Sequence, residues 1–245
     1  MQRVALVHGF LGSPADWAEV LEQLPSGIEC DCVPLVALGC ESIADAARAL
    51  SERIEQQPCD ALVGYSMGGR IALELAATRP ELASRFVLLS ASPGLDEAHD
   101  GHGARARRAA EDDARANEML QDGIDRFVER WYQLPLFASF VRHPSFSSAR
   151  LRRAQGEAAF WARAISGCSP GRTAPRWDTL AALASRTILT VGALDERYAD
   201  LAQRAARYAP LLQVEVVAHA GHVLPLEAPR ACARAILASL SSSHT

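Results

Sequence analysis

Short apolar runs alternate with segments of helical period along this chain. Residues 4–7 read as a strand and 14–24 as a helix. Residues 29–34 are strand-like, 42–56 helical, 61–65 a strand, 67–78 helical and 85–90 a strand. The rhythm resumes with a strand at 187–191, a helix over 198–208, a strand at 213–217 and a last helix near 225–240. Alternation at these lengths predicts an α/β fold: a mostly parallel sheet with helices on both faces, joined by right-handed crossovers.

Between Ser92 and about Trp177 the rhythm changes. Arg-rich and Glu-rich helical stretches dominate, and no strand pattern stands out. This predicts a helical lid inserted between two core strands, with residues 1–94 as the first part of the core, 95–177 as the lid and 178–245 as the second part. Residues 95–104 and 166–176 are expected to be loops. A chain of 245 residues can hold a core and such an insertion.

Composition narrows the chemistry. Hydrophobic content of 49% and charged content of 22% are those of an ordinary soluble globular protein. A formal net charge of −4 makes neither nucleic acid nor an anionic membrane an obvious partner. No apolar run is long enough to span a bilayer, and residues 1–9 lead directly into a strand, so a cytoplasmic location is expected. The six cysteines include no C-x-x-C pair. Cys30 and Cys32 share one strand face and are expected to be free thiols. All 25 cationic side chains are arginine. That removes Schiff-base, pyridoxal phosphate and P-loop lysine chemistry. No G-x-G-x-x-G follows a strand, so nothing points to a dinucleotide. Oligomeric state is not legible.

The most informative segment is 61–70, Ala-Leu-Val-Gly-Tyr-Ser-Met-Gly-Gly-Arg. An apolar run ends in Gly-x-Ser-x-Gly and a helix former follows at once, the setting in which this motif makes a nucleophile elbow. Gly64 and Gly68 let neighbouring chain approach where a Cβ would block it. A serine hydroxyl needs a histidine to take its proton and a carboxylate to orient that histidine. In such an elbow the order is Ser, then Asp or Glu, then His. Ser66, Asp195 and His222 satisfy it, the last two just beyond predicted strands. Glu196 and His219 are the neighbouring competitors. Backbone N–H groups of Phe10, in the loop His8-Gly9-Phe10-Leu11-Gly12, and of Met67 are candidate donors to developing negative charge. His8 itself is expected to pin that loop.

Further residues carry a resemblance: His8 to Ser13 with Asp16-Trp17, Gly64 to Arg70, Ser90-Ala91-Ser92-Pro93-Gly94-Leu95, Arg107-Arg108 before acidic residues, Trp131 to Phe137, and Leu151-Arg152-Arg153. In this order they resemble the 2-succinyl-6-hydroxy-2,4-cyclohexadiene-1-carboxylate synthases of menaquinone biosynthesis, within the α/β-hydrolase superfamily. The resemblance implies a lyase without cofactor or metal. It would eliminate pyruvate from 2-succinyl-5-enolpyruvyl-6-hydroxy-3-cyclohexene-1-carboxylate, with the triad serine removing a ring proton. It also implies a small-molecule polycarboxylate partner, bound by Arg70, Arg108 and Arg152 or Arg153, in a pocket lined by Tyr65, Trp131 and Phe137.

Other readings stay open. Arg70 with Glu74 and Arg108 with Asp112 have i,i+4 spacing and could be surface ion pairs. Trp131 and Phe137 could be lid core. The triad also suits a carboxylesterase or thioesterase working through an acyl-enzyme, and the fold could carry a non-catalytic ligand-binding protein. The chain departs from the family at Leu35 to Cys40, where relatives carry Pro-Gly-His-Gly, and after His222, where relatives often have a second histidine.

Overall fold

The computed structural model describes residues 1–241. Six strands form one sheet: β1 (Gln2–Val7), β2 (Ile28–Val33), β3 (Cys59–Tyr65), β4 (Ala83–Leu89), β5 (Thr187–Gly192) and β6 (Gln213–Val217). Their order is β2-β1-β3-β4-β5-β6 and every neighbouring pair is parallel. Each predicted strand is present within about two residues of its expected bounds. The interior strands read as unbroken apolar runs because helices cover both faces. All of β5 is buried, as are the last five residues of β3, whereas the edge strands β2 and β6 are only partly covered.

The helices Ile43–Gln56 and Met67–Thr78 pack on each other, the second also against β3. The helix Pro229–Ser241 lies over β3, β4 and β5 and meets the short helix Ala18–Leu21. Right-handed crossovers place these two groups on opposite faces. Ile71 and Leu75 of the helix Met67–Thr78 are fully buried, and each such side chain contributes about 2 kcal/mol. Ser42 caps its helix by accepting the Asp45 N–H at 3.0 Å, so the helix begins at Ile43.

Two expected helices differ. Residues 14–24 form a 3₁₀ turn, Pro14–Trp17, running into Ala18–Leu21. The terminal helix divides into Leu224–Glu227 and Pro229–Ser241, because Ala228 precedes a proline and leaves the helical region at φ −146°, ψ 56°.

Among the described residues, no strand lies between β4 and β5. The helices Ala104–Asp122, Ile124–Trp131, Phe146–Ala154 and Ala158–Gly167 fill that interval, the first packing along the last. The expected loop at 95–104 contains one helical turn, Glu97–Asp100, capped by the Asp96 carboxylate on the Ala98 N–H at 3.1 Å. Phe10, from the loop after β1, meets Trp131 and Trp161 of these helices edge-on, at ring separations of 5.2 and 5.4 Å. The helical segment therefore sits above the carboxyl ends of the central strands.

The strand order reverses at β1, with β2 on one side and β3 on the other. Register brings Val7 level with Gly64, and Tyr65 level with Leu89. The loops after β1, β3, β5 and β6 thus share one rim, at the switch point where crevices form in open α/β sheets.

Candidate active site

Ser66 occupies the turn between β3 and the helix Met67–Thr78, at φ 51° and ψ −110°. A non-glycine residue there stores about 1–3 kcal/mol of strain. The turn is held from both sides: the Ser66 N–H donates to the Leu89 carbonyl at 2.9 Å, and the Ser66 carbonyl accepts the Arg70 N–H at 3.2 Å. The flanking glycines are required by packing. A Cβ on Gly64 would stand 2.5 Å from the Gly68 carbonyl oxygen, and one on Gly68 would collide with the carbonyl oxygens of Val7 and His8. The motif is therefore a place where strand, helix and the loop after β1 close on one another.

Asp195 and His222 arrive from the ends of β5 and β6. His222 Nδ1 lies 2.7 Å from Asp195 Oδ2, and His222 Nε2 lies 3.2 Å from Ser66 Oγ. Asp195 also caps the helix Glu196–Tyr208, its Oδ1 accepting the Tyr198 N–H at 3.2 Å, so both carboxylate oxygens are fixed. Both residues are buried. The ring of His222 is walled by Tyr198, Tyr65 and Phe137 at 4.7, 5.7 and 6.1 Å between ring centres. The competitors Glu196 and His219 are exposed.

Glu227 was not singled out by sequence, yet it holds the histidine loop on both sides. Its carboxylate accepts the Gly221 N–H at 3.2 Å and the Val223 N–H at 2.8 Å. Gly192 has no Cβ to obstruct the Ala220 and Gly221 carbonyls, which lets the loops carrying Asp195 and His222 touch.

The loop after β1 passes beside the elbow. A Cβ on Gly9 would reach within 3.2 Å of Ser66 Cβ. Among the described residues the N–H groups of Phe10 and Met67 donate to no protein acceptor, leaving both open to a ligand. His8 anchors the loop as expected: Nε2 accepts the Leu35 N–H at 3.1 Å, which leaves Nδ1 to donate to the Gly9 carbonyl at 2.9 Å. Burial pulls its pKa below the usual histidine value, consistent with that neutral tautomer.

Two contiguous cavities open here. The inner one, about 110 Å³, is lined by Ser66 and His222 together with Phe10, Tyr65, Met67 and Phe137. The outer one, about 760 Å³, shares Leu95, Arg108, Trp131, Leu136 and Arg197 with it. Four guanidinium groups, those of Arg70, Arg108, Arg153 and Arg197, line the inner cavity.

Their pairing differs. Arg153 is buried and donates to Asp16 Oδ2 at 3.0 Å, while its Nη1 has no partner. Arg108 Nε donates to Asp112 Oδ2 at 2.8 Å, so the alternative i,i+4 pair forms, but with Asp112 buried and with the arginine facing both cavities. Arg70 does not pair with Glu74. Its Nη1 donates to the Cys168 carbonyl at 2.5 Å, and burial lowers its pKa. Neither Arg70 nor Arg197 has a carboxylate partner among the described residues. Of the pair left open by sequence, Arg152 lines neither cavity, and its Nη2 reaches Asp16 Oδ1 at 3.3 Å. Successive helical residues point about 100° apart, and although both guanidinium groups reach Asp16, only Arg153 lines the inner cavity.

Arg197 and Tyr198, like Glu227, escaped the sequence reading. Their only signal was position, two and three residues after Asp195. All six cysteines are free, and among the described residues no three His, Cys, Asp or Glu side chains gather as a metal site. No described helix is long and apolar enough to cross a membrane.

Comparison with known proteins bears on the family and the fold. A Bacillus subtilis (strain 168) protein provisionally named 2-succinyl-6-hydroxy-2,4-cyclohexadiene-1-carboxylate synthase is 30% identical, over 98% of this chain and 91% of its own. The enzyme of that name from Serratia proteamaculans (strain 568) is 29% identical over 93% and 88%. The structure of MenH from S. aureus superposes with a TM-score of 0.89 at 25% identity, covering 100% of this chain and 95% of that one. The sequence profile of the alpha/beta hydrolase family matches residues 4–235. With its parallel sheet, its elbow and this match along nearly its whole length, the chain belongs to the alpha/beta hydrolase family.

Proposed function

We propose that this protein is a lyase of menaquinone biosynthesis. It would eliminate pyruvate from 2-succinyl-5-enolpyruvyl-6-hydroxy-3-cyclohexene-1-carboxylate to leave 2-succinyl-6-hydroxy-2,4-cyclohexadiene-1-carboxylate. The observation that carries this reading is a Ser66–His222–Asp195 relay, its histidine and aspartate buried, opening into a cavity lined by four arginines. An apolar acyl chain gains nothing from such a lining, whereas several carboxylates need it. The relatives that bear this enzyme's name support it from sequence.

The chemistry follows from the substrate. Its ring carbon C2 lies next to the succinyl ketone, so the hydrogen there is acidic. His222 Nε2 takes the Ser66 proton, and Ser66 Oγ removes the C2 hydrogen. Asp195 stabilises the imidazolium that forms. The electron pair moves into the ring through the C3=C4 alkene, and the C5–O bond to the enolpyruvyl group breaks. Enolpyruvate leaves as the anion, takes up the proton held on His222 and tautomerises to pyruvate, while Ser66 keeps the proton taken from C2, so the triad ends as it began. Charge on the ketone oxygen would be met by the open Phe10 and Met67 N–H groups. Arg70, Arg108 and Arg153 would hold carboxylates, with Tyr65, Trp131 and Phe137 as walls. The step needs no cofactor.

In this reading the helical segment 95–177 acts as a lid over the site, and the enzyme works in the cytoplasm. Incubating the purified protein with the enolpyruvyl substrate and following pyruvate tests the proposal. Turnover without added cofactor is expected. No pyruvate, together with a burst of nitrophenol from an activated ester, would favour an acyl-enzyme hydrolase instead.

A further inference from the structure

Resting on the lyase reading, we propose that the substrate spans both cavities, with Arg197 at their junction binding the carboxylate of the departing enolpyruvyl group. Three observations carry this. Pockets that enclose small organic ligands measure roughly 300–1,000 Å³, and the inner cavity, at about 110 Å³, is too small for a substituted ring with two side arms. The outer cavity, about 760 Å³, opens directly from it. Arg197 faces both, and also the groove beyond Ser92 and Leu95, yet it has no carboxylate partner among the described residues.

Its setting sharpens the point. Arg197 is the second residue of the helix Glu196–Tyr208, where the helix dipole disfavours a cation. Its neighbour Tyr198 is fixed twice, by its N–H on Asp195 and by its ring against His222, so the backbone of Arg197 is tied to the relay. The ring chemistry supplies the direction. C2 and C5 are opposite corners of the six-membered ring. With the C2 hydrogen at Ser66, the C5 substituent points away from the serine, toward the outer cavity. The leaving group then starts its exit in the larger space.

The test uses the full chain as wild type, Arg197→Gln and Arg197→Lys, with turnover followed by the absorbance of the conjugated diene product. Inhibition by added pyruvate and by added succinate is measured beside it. Arg197→Gln is expected to raise KM about tenfold, with a smaller change in kcat, and to weaken pyruvate inhibition by a similar factor. Succinate inhibition should hold, and Arg197→Lys should recover much of the loss. Unchanged KM and pyruvate inhibition would overturn the proposal, and so would a loss confined to succinate. If wild type makes no diene, the lyase reading fails separately. Calorimetric titration of pyruvate into wild type and Arg197→Gln then still decides: binding lost in the variant supports the site, and equal binding overturns it.

Discussion

Arg176 grips Glu74 with two prongs, Nε to Oε2 at 2.7 Å and Nη2 to Oε1 at 2.5 Å. The pair joins residues 102 positions apart and occupies the carboxylate that local helix spacing would offer to Arg70. Arg70 is thereby left free to face the cavity, a choice made by tertiary structure against the i,i+4 alternative.

Removing that grip should have two effects. Arg176→Ala leaves a largely buried carboxylate unpaired; because the arginine is itself 29% exposed, the cost is set at about 1–3 kcal/mol, below that of a fully buried pair. Glu74 then becomes available to Arg70, and KM should rise. Urea melts and steady-state kinetics check both; normal stability with normal KM would contradict this account of Arg70.

The elbow trades stability for chemistry. Ser66→Ala and His222→Ala should each lower kcat by at least about 10²-fold with the fold intact. Ser66→Gly should also be inactive, but more stable than wild type by about 1 kcal/mol, since glycine relieves the strain at φ 51° while adding chain entropy to the unfolded state. Thermal melts of the three variants decide; a less stable Ser66→Gly would show that the turn is not strained.

Glycine positions should divide sharply. Gly68→Ala sets a methyl against the carbonyl oxygens of Val7, at the end of β1, and His8, in the loop that follows, and should cost upwards of about 3 kcal/mol, displacing Phe10 as well. Gly27→Ala meets nothing within 4 Å and should be silent. Comparison of their melting temperatures tests whether that loop is braced on the elbow.

His8 makes stability depend on pH in a defined direction. Its folded pKa is lowered by burial, so the unfolded chain takes up a proton first as pH falls. Its contribution is complete above the unfolded value of about 6.5 and is progressively lost below it. His8→Asn should therefore show a shallower loss of stability between about pH 7.5 and 5 than wild type. Parallel profiles would mean that His8 is not held neutral.

Much of this was legible in the chain. The strands stand out as short unbroken apolar runs because the sheet is covered on both faces, and the order of Ser66, Asp195 and His222 survives because each follows a strand whose end lies on one rim. The charge balance of the pocket was not legible. Arg152 and Arg153 are adjacent in sequence, and only the orientation of their helix shows which one turns inward. Arg197 and Glu227 matter through partners, or the lack of partners, that only the assembled loops reveal. Likewise Pro229 marks a break in the last helix that apolar periodicity runs straight through.

The central claim is that Ser66 acts as a base on the ring carbon next to the succinyl ketone. Pyruvate release from substrate carrying deuterium at that carbon, compared with the protium form, tests it most directly. The account predicts slower release from the deuterated substrate and no covalent adduct on Ser66 by intact mass. Equal rates, with a mass increment on Ser66 during turnover, would contradict it.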